Sequence, residues 1–292
     1  MGALFGLLAA ILIGCCDSAT RVCARRMPVL DLILFVCWVA LPVSLLVMGL
    51  PELQAPSALR SMSLALVSGL LQVSVLVLLF RALADGPVAV AVAGTASSVV
   101  FLILWNILVG EPWNAMQVAA GVGVFAAIAM AARPQPDLGE TGATGPLRRT
   151  ALLGLAAGFL SSLRLFLVQE ANDGIGPGDA LVGLRIGAVI GITLLVLLRM
   201  RVRSRALRLP RGRFAWLVVL QAVLETAAIL ALLYGSLHAG RIGAAVGFAA
   251  VPAASSVAAR LFLGDRIGRA RSGWILAVVG CVALAVAAGS RG

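Results

Sequence analysis

The residues able to do chemistry in this chain are the few polar and ionisable side chains set inside long apolar runs. Glu225 stands halfway along the run 214–237, Arg164 lies deep in 151–169, and Arg185 falls within the first third of 180–199. Gln72 occupies the middle of 61–83. Asp17 and Arg21, four residues apart in 3–22, share one helix face and can pair locally. A charge inside a bilayer is costly unless paired or wetted, so these residues mark candidate sites. Arginine can hold a carboxylate or phosphate on a substrate. Glu225 reads two ways: as a fixed partner of Arg185 or Arg164 that orders a helix bundle, or as a wet carboxylate that exchanges a proton while substrate moves. Burial and a neighbouring Arg act on such a carboxyl in opposite directions, so both readings stay open.

Other residue types offer less. Trp105, Tyr234 and Phe248 could flank an apolar or aromatic substrate, although aromatics in such runs commonly face lipid or the interface. Trp113 and Trp216, near helix starts, read as interfacial anchors, and the single His, His238, reads as a satisfied residue at the end of its run. The five Cys form no CxxC pair and no His cluster, so neither a metal site nor a cofactor is expected.

The elements that must position these residues follow from composition. The chain has 292 residues, 61% hydrophobic and 12% charged, whereas soluble domains carry about 25% charged residues. A crossing of the ~30 Å hydrocarbon core takes about 20 helical residues, so ten crossings leave room only for short loops and tails. That excludes a soluble enzyme with a loop-built site, a disordered chain and a small disulfide scaffold. Ten apolar segments fall at 3–22, 30–50, 61–83, 87–109, 114–132, 151–169, 180–199, 214–237, 242–263 and 273–290. Helices are expected throughout, because backbone groups in lipid must be satisfied internally.

The halves are related. An offset of 154 aligns Phe80-Arg-Ala-Leu-Ala-Asp-Gly86 with Tyr234-Gly-Ser-Leu-His-Ala-Gly240, and Gly110-Glu111 with Gly264-Asp265. An offset of 148 pairs Gly6 with Gly154 and Asp31 with Asp179. The expected architecture is therefore an all-α polytopic membrane protein of ten transmembrane helices in two five-helix repeats, 1–132 and 150–292, joined by a linker over 133–149. Five spans per repeat invert the second half, the arrangement of many secondary transporters. Glu111 and Asp265 read as turn-and-cap residues, and Ala89/Ala93 and Gly243/Gly247 as close-crossing positions.

These residues resemble the EamA-type branch of the drug/metabolite transporter superfamily. The resemblance rests on Phe80–Gly86, Gly110-Glu111, their counterparts Tyr234–Gly240 and Gly264-Asp265, Pro252 in 242–263, and Arg185, whose first-half equivalent is Cys37. It implies a ten-helix carrier of small metabolites, often an exporter.

All 23 basic residues are Arg, giving a net charge of +11. They crowd the loops after odd-numbered segments, with seven between Arg199 and Arg213. Basic short loops stay cytoplasmic, so those loops are expected inside and both termini outside. The charge thus speaks of sidedness and anionic lipid, and no nucleic acid is expected. The expected function is a secondary transporter in the cytoplasmic (inner) membrane. It moves an amino acid or related metabolite outward by alternating access, with proton coupling, as a monomer or homodimer in contact with membrane lipids. An uncoupled facilitator is the main alternative, and a membrane-embedded enzyme is a more distant one.

Overall fold

The computed structural model describes residues 2–24, 26–51, 56–85, 95, 97–110, 113–131, 147–203, 207–263, 273–274, 276–281 and 283–284, and these are helical wherever they carry regular structure. Helices α1 (Gly2–Ala24), α2 (Val29–Met48), α3 (Pro56–Asp85), α4 (Ser98–Leu108) and α5 (Ala115–Ala131) make up the first half. A continuous run, Leu147–Arg203, follows and is broken at Gly176. Its arms, 147–175 and 177–203, are α6 and α7. Then come α8 (Arg213–Ala239), α9 (Arg241–Phe248) and α10 (Val251–Leu263).

Six stretches among the described residues are long and apolar enough to cross a membrane. One of them, Leu152–Arg201, has 50 residues, about 75 Å of helix and too much for one crossing. Gly176 divides it: at φ 80° and ψ 167° it adopts a conformation open essentially to glycine, and Pro177 restarts the helix where its missing N–H is harmless. The arms fold back beside each other along α3. Ser68 Oγ donates to the Arg164 carbonyl at 2.8 Å, and Leu66 touches Gly187, at similar distances before and after the break. The polytopic, all-helical membrane character expected from composition is thus observed.

Several local expectations are modified. The segment 242–263 divides into α9 and α10 around Ala249–Ala250, because Pro252 lacks the N–H that would continue the ladder to the Phe248 carbonyl. Of the expected linker 133–149, residues 133–146 lie outside the described residues, and Leu147 onward is helical. Gly110 takes φ 89° after α4 as a turn residue, whereas Glu111, Ala89, Ala93, Gly264 and Asp265 lie outside the described residues. Gly247 packs as a crossing residue: a Cβ there would stand 2.1 Å from the Ala3 carbonyl oxygen.

One close crossing joins α3 to α7. Gly183, Gly187 and Gly191 form a stripe on α7, and a Cβ on Gly187 would lie 2.1 Å from the Leu66 carbonyl oxygen. Reciprocally, a Cβ on Gly69 would lie 2.0 Å from the Leu184 carbonyl oxygen. Without side chains between them, the backbones pack by direct contact, as helices do where burial from water cannot drive association. Leu46, Trp216, Leu261 and Leu276 are largely exposed, an apolar exterior suited to lipid. Gln72, Arg164, Arg185 and Gln221 are buried instead.

Candidate functional site

Glu225 lies halfway along α8, and side chains from two other helices reach its carboxylate. Arg185 Nη1 of α7 donates to Glu225 Oε1 at 3.0 Å, and Gln72 Nε2 of α3 donates to the same oxygen at 2.5 Å. Arg185 Nη2 reaches Thr226 Oγ1 at 3.4 Å. The Arg185 side chain is fully buried, while that of Glu225 keeps 15% exposure. The close glycine crossing explains the geometry. It draws α3 and α7 together just below this level, so that Gln72 and Arg185 both reach α8. A buried guanidinium and carboxylate in direct contact lower each other's desolvation cost, which neither could carry alone.

Arg164 faces the same region from α6. It is 8% exposed, lies within electrostatic reach of both Glu225 and Arg185, and does not form an ion pair with Glu225. Of the two pairings open from sequence, the structure therefore shows Arg185 as the contacting partner. Gln72 joins them, as does Thr226, which sequence reasoning passed over although it is a polar residue next to Glu225.

Asp17 sits one layer away. Its Oδ2 accepts from Ser255 Oγ of α10 at 2.5 Å, and the side chain of Arg21 lies outside the described residues. Next to it, Cys16 Sγ donates to the Gln221 carbonyl at 3.7 Å, and Gln221 Nε2 donates to Thr20 Oγ1. Gln221 is one turn from Glu225 on α8, so a polar vein runs along that helix face. Its signal in sequence was the i, i+4 spacing of Gln221 and Glu225.

The aromatic candidates stand apart. Trp105 Nε1 donates to Ser162 Oγ at 3.3 Å, and its ring lies 6.0 Å from Phe159 and 6.3 Å from Phe166. At 100° per residue, Phe159, Ser162 and Phe166 occupy the side of α6 nearly opposite Arg164. Tyr234 is 39% exposed with its ring 6.3 Å from His238, and His238 Nδ1 lies 2.9 Å from the Tyr234 carbonyl oxygen. Phe248 packs against an apolar cluster that includes Ala9, Leu102 and Leu165. The structure does not bring these three to the Glu225 carboxylate.

Two further charged groupings lie at the bundle's ends. Near the α6–α7 break, Arg241 Nη1 bonds Glu170 Oε2 at 2.8 Å and its Nη2 bonds Asp173, beside a recess of about 300 Å³ lined by Arg60, Ser61, Glu170 and Asp173. At the opposite end, Asp31 Oδ2 accepts from the Arg208 backbone N–H at 3.2 Å, with Arg199 3.7 Å from Oδ1. Among the described residues, no group of three or more His, Cys, Asp and Glu side chains could hold a metal ion.

Residues 1–133 match the model of the EamA-like transporter family, which bears out the resemblance over the first half of the chain. No curated protein matches. Among solved structures 28 chains match. One crystal structure aligns with a TM-score of 0.78 at 16% identity, covering 99% of this chain and 98% of that one. At that identity the likeness concerns the fold alone. The membrane-length helices make the chain an integral, multi-pass membrane protein, and its residues 1–133 are similar to a family of membrane transporters.

Proposed function

We propose that this chain, EamA-like over its first 133 residues, is a secondary transporter of the cytoplasmic membrane and not an enzyme. It exports an amino acid or related metabolite by alternating access, with Glu225 as the proton-coupling carboxylate. The observation that carries this reading is a carboxylate halfway along a membrane-length helix, held by side chains from two other helices. Protonation of Glu225 would release Arg185, leaving its guanidinium to a carboxylate or phosphate on the substrate. Deprotonation would restore the pair and expel that group. Charge coupling of this kind needs the partner exchange to occur in a site that opens to one side at a time.

Two inverted five-helix units, 1–132 and 150–292, would supply the alternation. The family match ending at residue 133 supports that division. So does the packing: α1 packs on α8 as α6 packs on α3, and α1 packs on α10 as α6 packs on α4. Leu71 is the repeat counterpart of Glu225, and its neighbour Gln72 meets Glu225 directly, as expected near an axis relating the halves. The Arg-rich loops after odd-numbered segments are placed in the cytoplasm, with both termini outside.

The test is transport of a panel of radiolabelled amino acids in proteoliposomes with an imposed pH difference. Wild type should accumulate its substrate against a gradient, and Glu225→Gln should lose the pH-driven component while folding normally. A pH dependence unchanged in E225Q rejects the coupling role. Equilibration without accumulation in wild type makes the protein a facilitator.

A further inference from the structure

Three arginines are buried among the described residues: Arg164, Arg185 and Arg241. Arg185 is answered by Glu225, and Arg241 by Glu170 and Asp173. Arg164 differs. Among the described residues no carboxylate lies within ion-pairing distance of its guanidinium, and its buried Nε, like those of Arg185 and Arg241, has no hydrogen-bond partner. Its backbone carbonyl is fixed to Ser68, one helical turn from Gln72 on α3, which sets it beside the Glu225–Arg185 pair. The Glu225 carboxylate is already engaged by Arg185 and Gln72. Arginine cannot shed its proton to escape burial as lysine can, so the guanidinium stays charged and lacks a counter-ion.

We propose that Arg164 is the anion-binding residue of the central site, and that the molecule recognised there presents a carboxylate or a phosphate. That this molecule is transported rests on the carrier reading, whereas its binding stands on Arg164 itself. The guanidinium fork matches either oxyanion with two parallel hydrogen bonds, and Arg185, when released by Glu225, would meet the same anion from α7. An unpaired buried cation weakens the empty protein and is relieved when the anion arrives. This is the trade-off expected where a site is kept ready at the expense of stability.

The experiment is thermal unfolding of the purified full-length protein in detergent, in sodium acetate, sodium phosphate and sodium chloride at matched ionic strength. Acetate or phosphate should raise the wild-type Tm above chloride, which oxyanion does so assigning the class. Arg164→Gln should abolish that rise, Arg164→Lys should retain part of it, and R164Q in chloride should melt a few degrees higher than wild type. The proposal is overturned if R164Q fails to fold or melts lower, as a structural arginine would require. It is equally overturned if the anion effect survives in R164Q, or if neither oxyanion stabilises wild type. Arg164-dependent stabilisation in a protein whose liposomes move no solute would sink the carrier reading and leave the anion site. Transport without it would sink this inference alone.

Discussion

The glycine crossing of α3 on α7 is the feature whose perturbation can be worked most directly. In Gly187→Ala the new Cβ would stand 2.1 Å from the Leu66 carbonyl oxygen, where ordinary contact begins at 3.4 Å. The obstacle is backbone within helix and cannot rotate aside, so α3 and α7 must part by about 1.3 Å or bend. Overpacking of this kind costs about 1–3 kcal/mol, which at about 2–4 °C per kcal/mol lowers Tm by about 2–12 °C. The effect should reach the site, because α3 carries Gln72 and α7 carries Arg185. Opening the crossing stretches the 2.5 Å Gln72–Glu225 bond past the ~3.2 Å limit of a good hydrogen bond. Thermal unfolding should be read beside Gly280→Ala, since a Cβ at Gly280 meets nothing within 4 Å. A G187A protein that melts with G280A and transports like wild type would refute both the packing argument and its link to the site.

Other perturbations separate pairing from backbone effects. Arg185→Gln leaves Glu225 held by Gln72 alone, a broken buried pair costing about 3–5 kcal/mol. The double variant R185Q/E225Q should recover most of that loss, and a strictly additive double-mutant cycle in thermal unfolding would contradict the contact. Gly176→Ala should cost about 1–3 kcal/mol from φ alone, because a Cβ there meets nothing within 4 Å. Gly176→Asn should not rescue it, since ψ 167° lies far from the left-handed helical well that asparagine tolerates; an Asn variant as stable as wild type would show the break to be unstrained.

Glu225, Arg185 and Gln72 were legible from sequence because a polar group in an apolar run is conspicuous, whatever surrounds it. Their mutual contact was half legible. The repeat alignment set Gln72 beside the counterpart of Glu225, but the choice between Arg185 and Arg164 depends on helix rotation, which periodicity within an almost wholly apolar span does not report. Trp105 and Phe248 illustrate the same limit. An aromatic in such a run can face lipid, core or site, and only the neighbouring helices decide. The Gly183–Gly187–Gly191 stripe was written plainly at four-residue spacing, yet its meaning required its partner, Leu66 on α3. The break in 242–263 could have been foreseen from Pro252, which was noted for resemblance and not for the hydrogen bond it removes.

The hairpin of α6 and α7 has a consequence for how the chain is made. Its arms emerge from the ribosome in order, and each carries one arginine, Arg164 and then Arg185, into the membrane. Glu225 follows only on α8, after the Arg-rich stretch 199–213. Insertion costs about 2.5–3.5 kcal/mol for each guanidinium, and Arg185 gains its carboxylate only when α8 is synthesised. Ser68 and Gly69 of α3 are already in place and can receive the arms. Thus the first half acts during biogenesis as a template that retains an unfavourable pair of helices until its neutralising partner arrives.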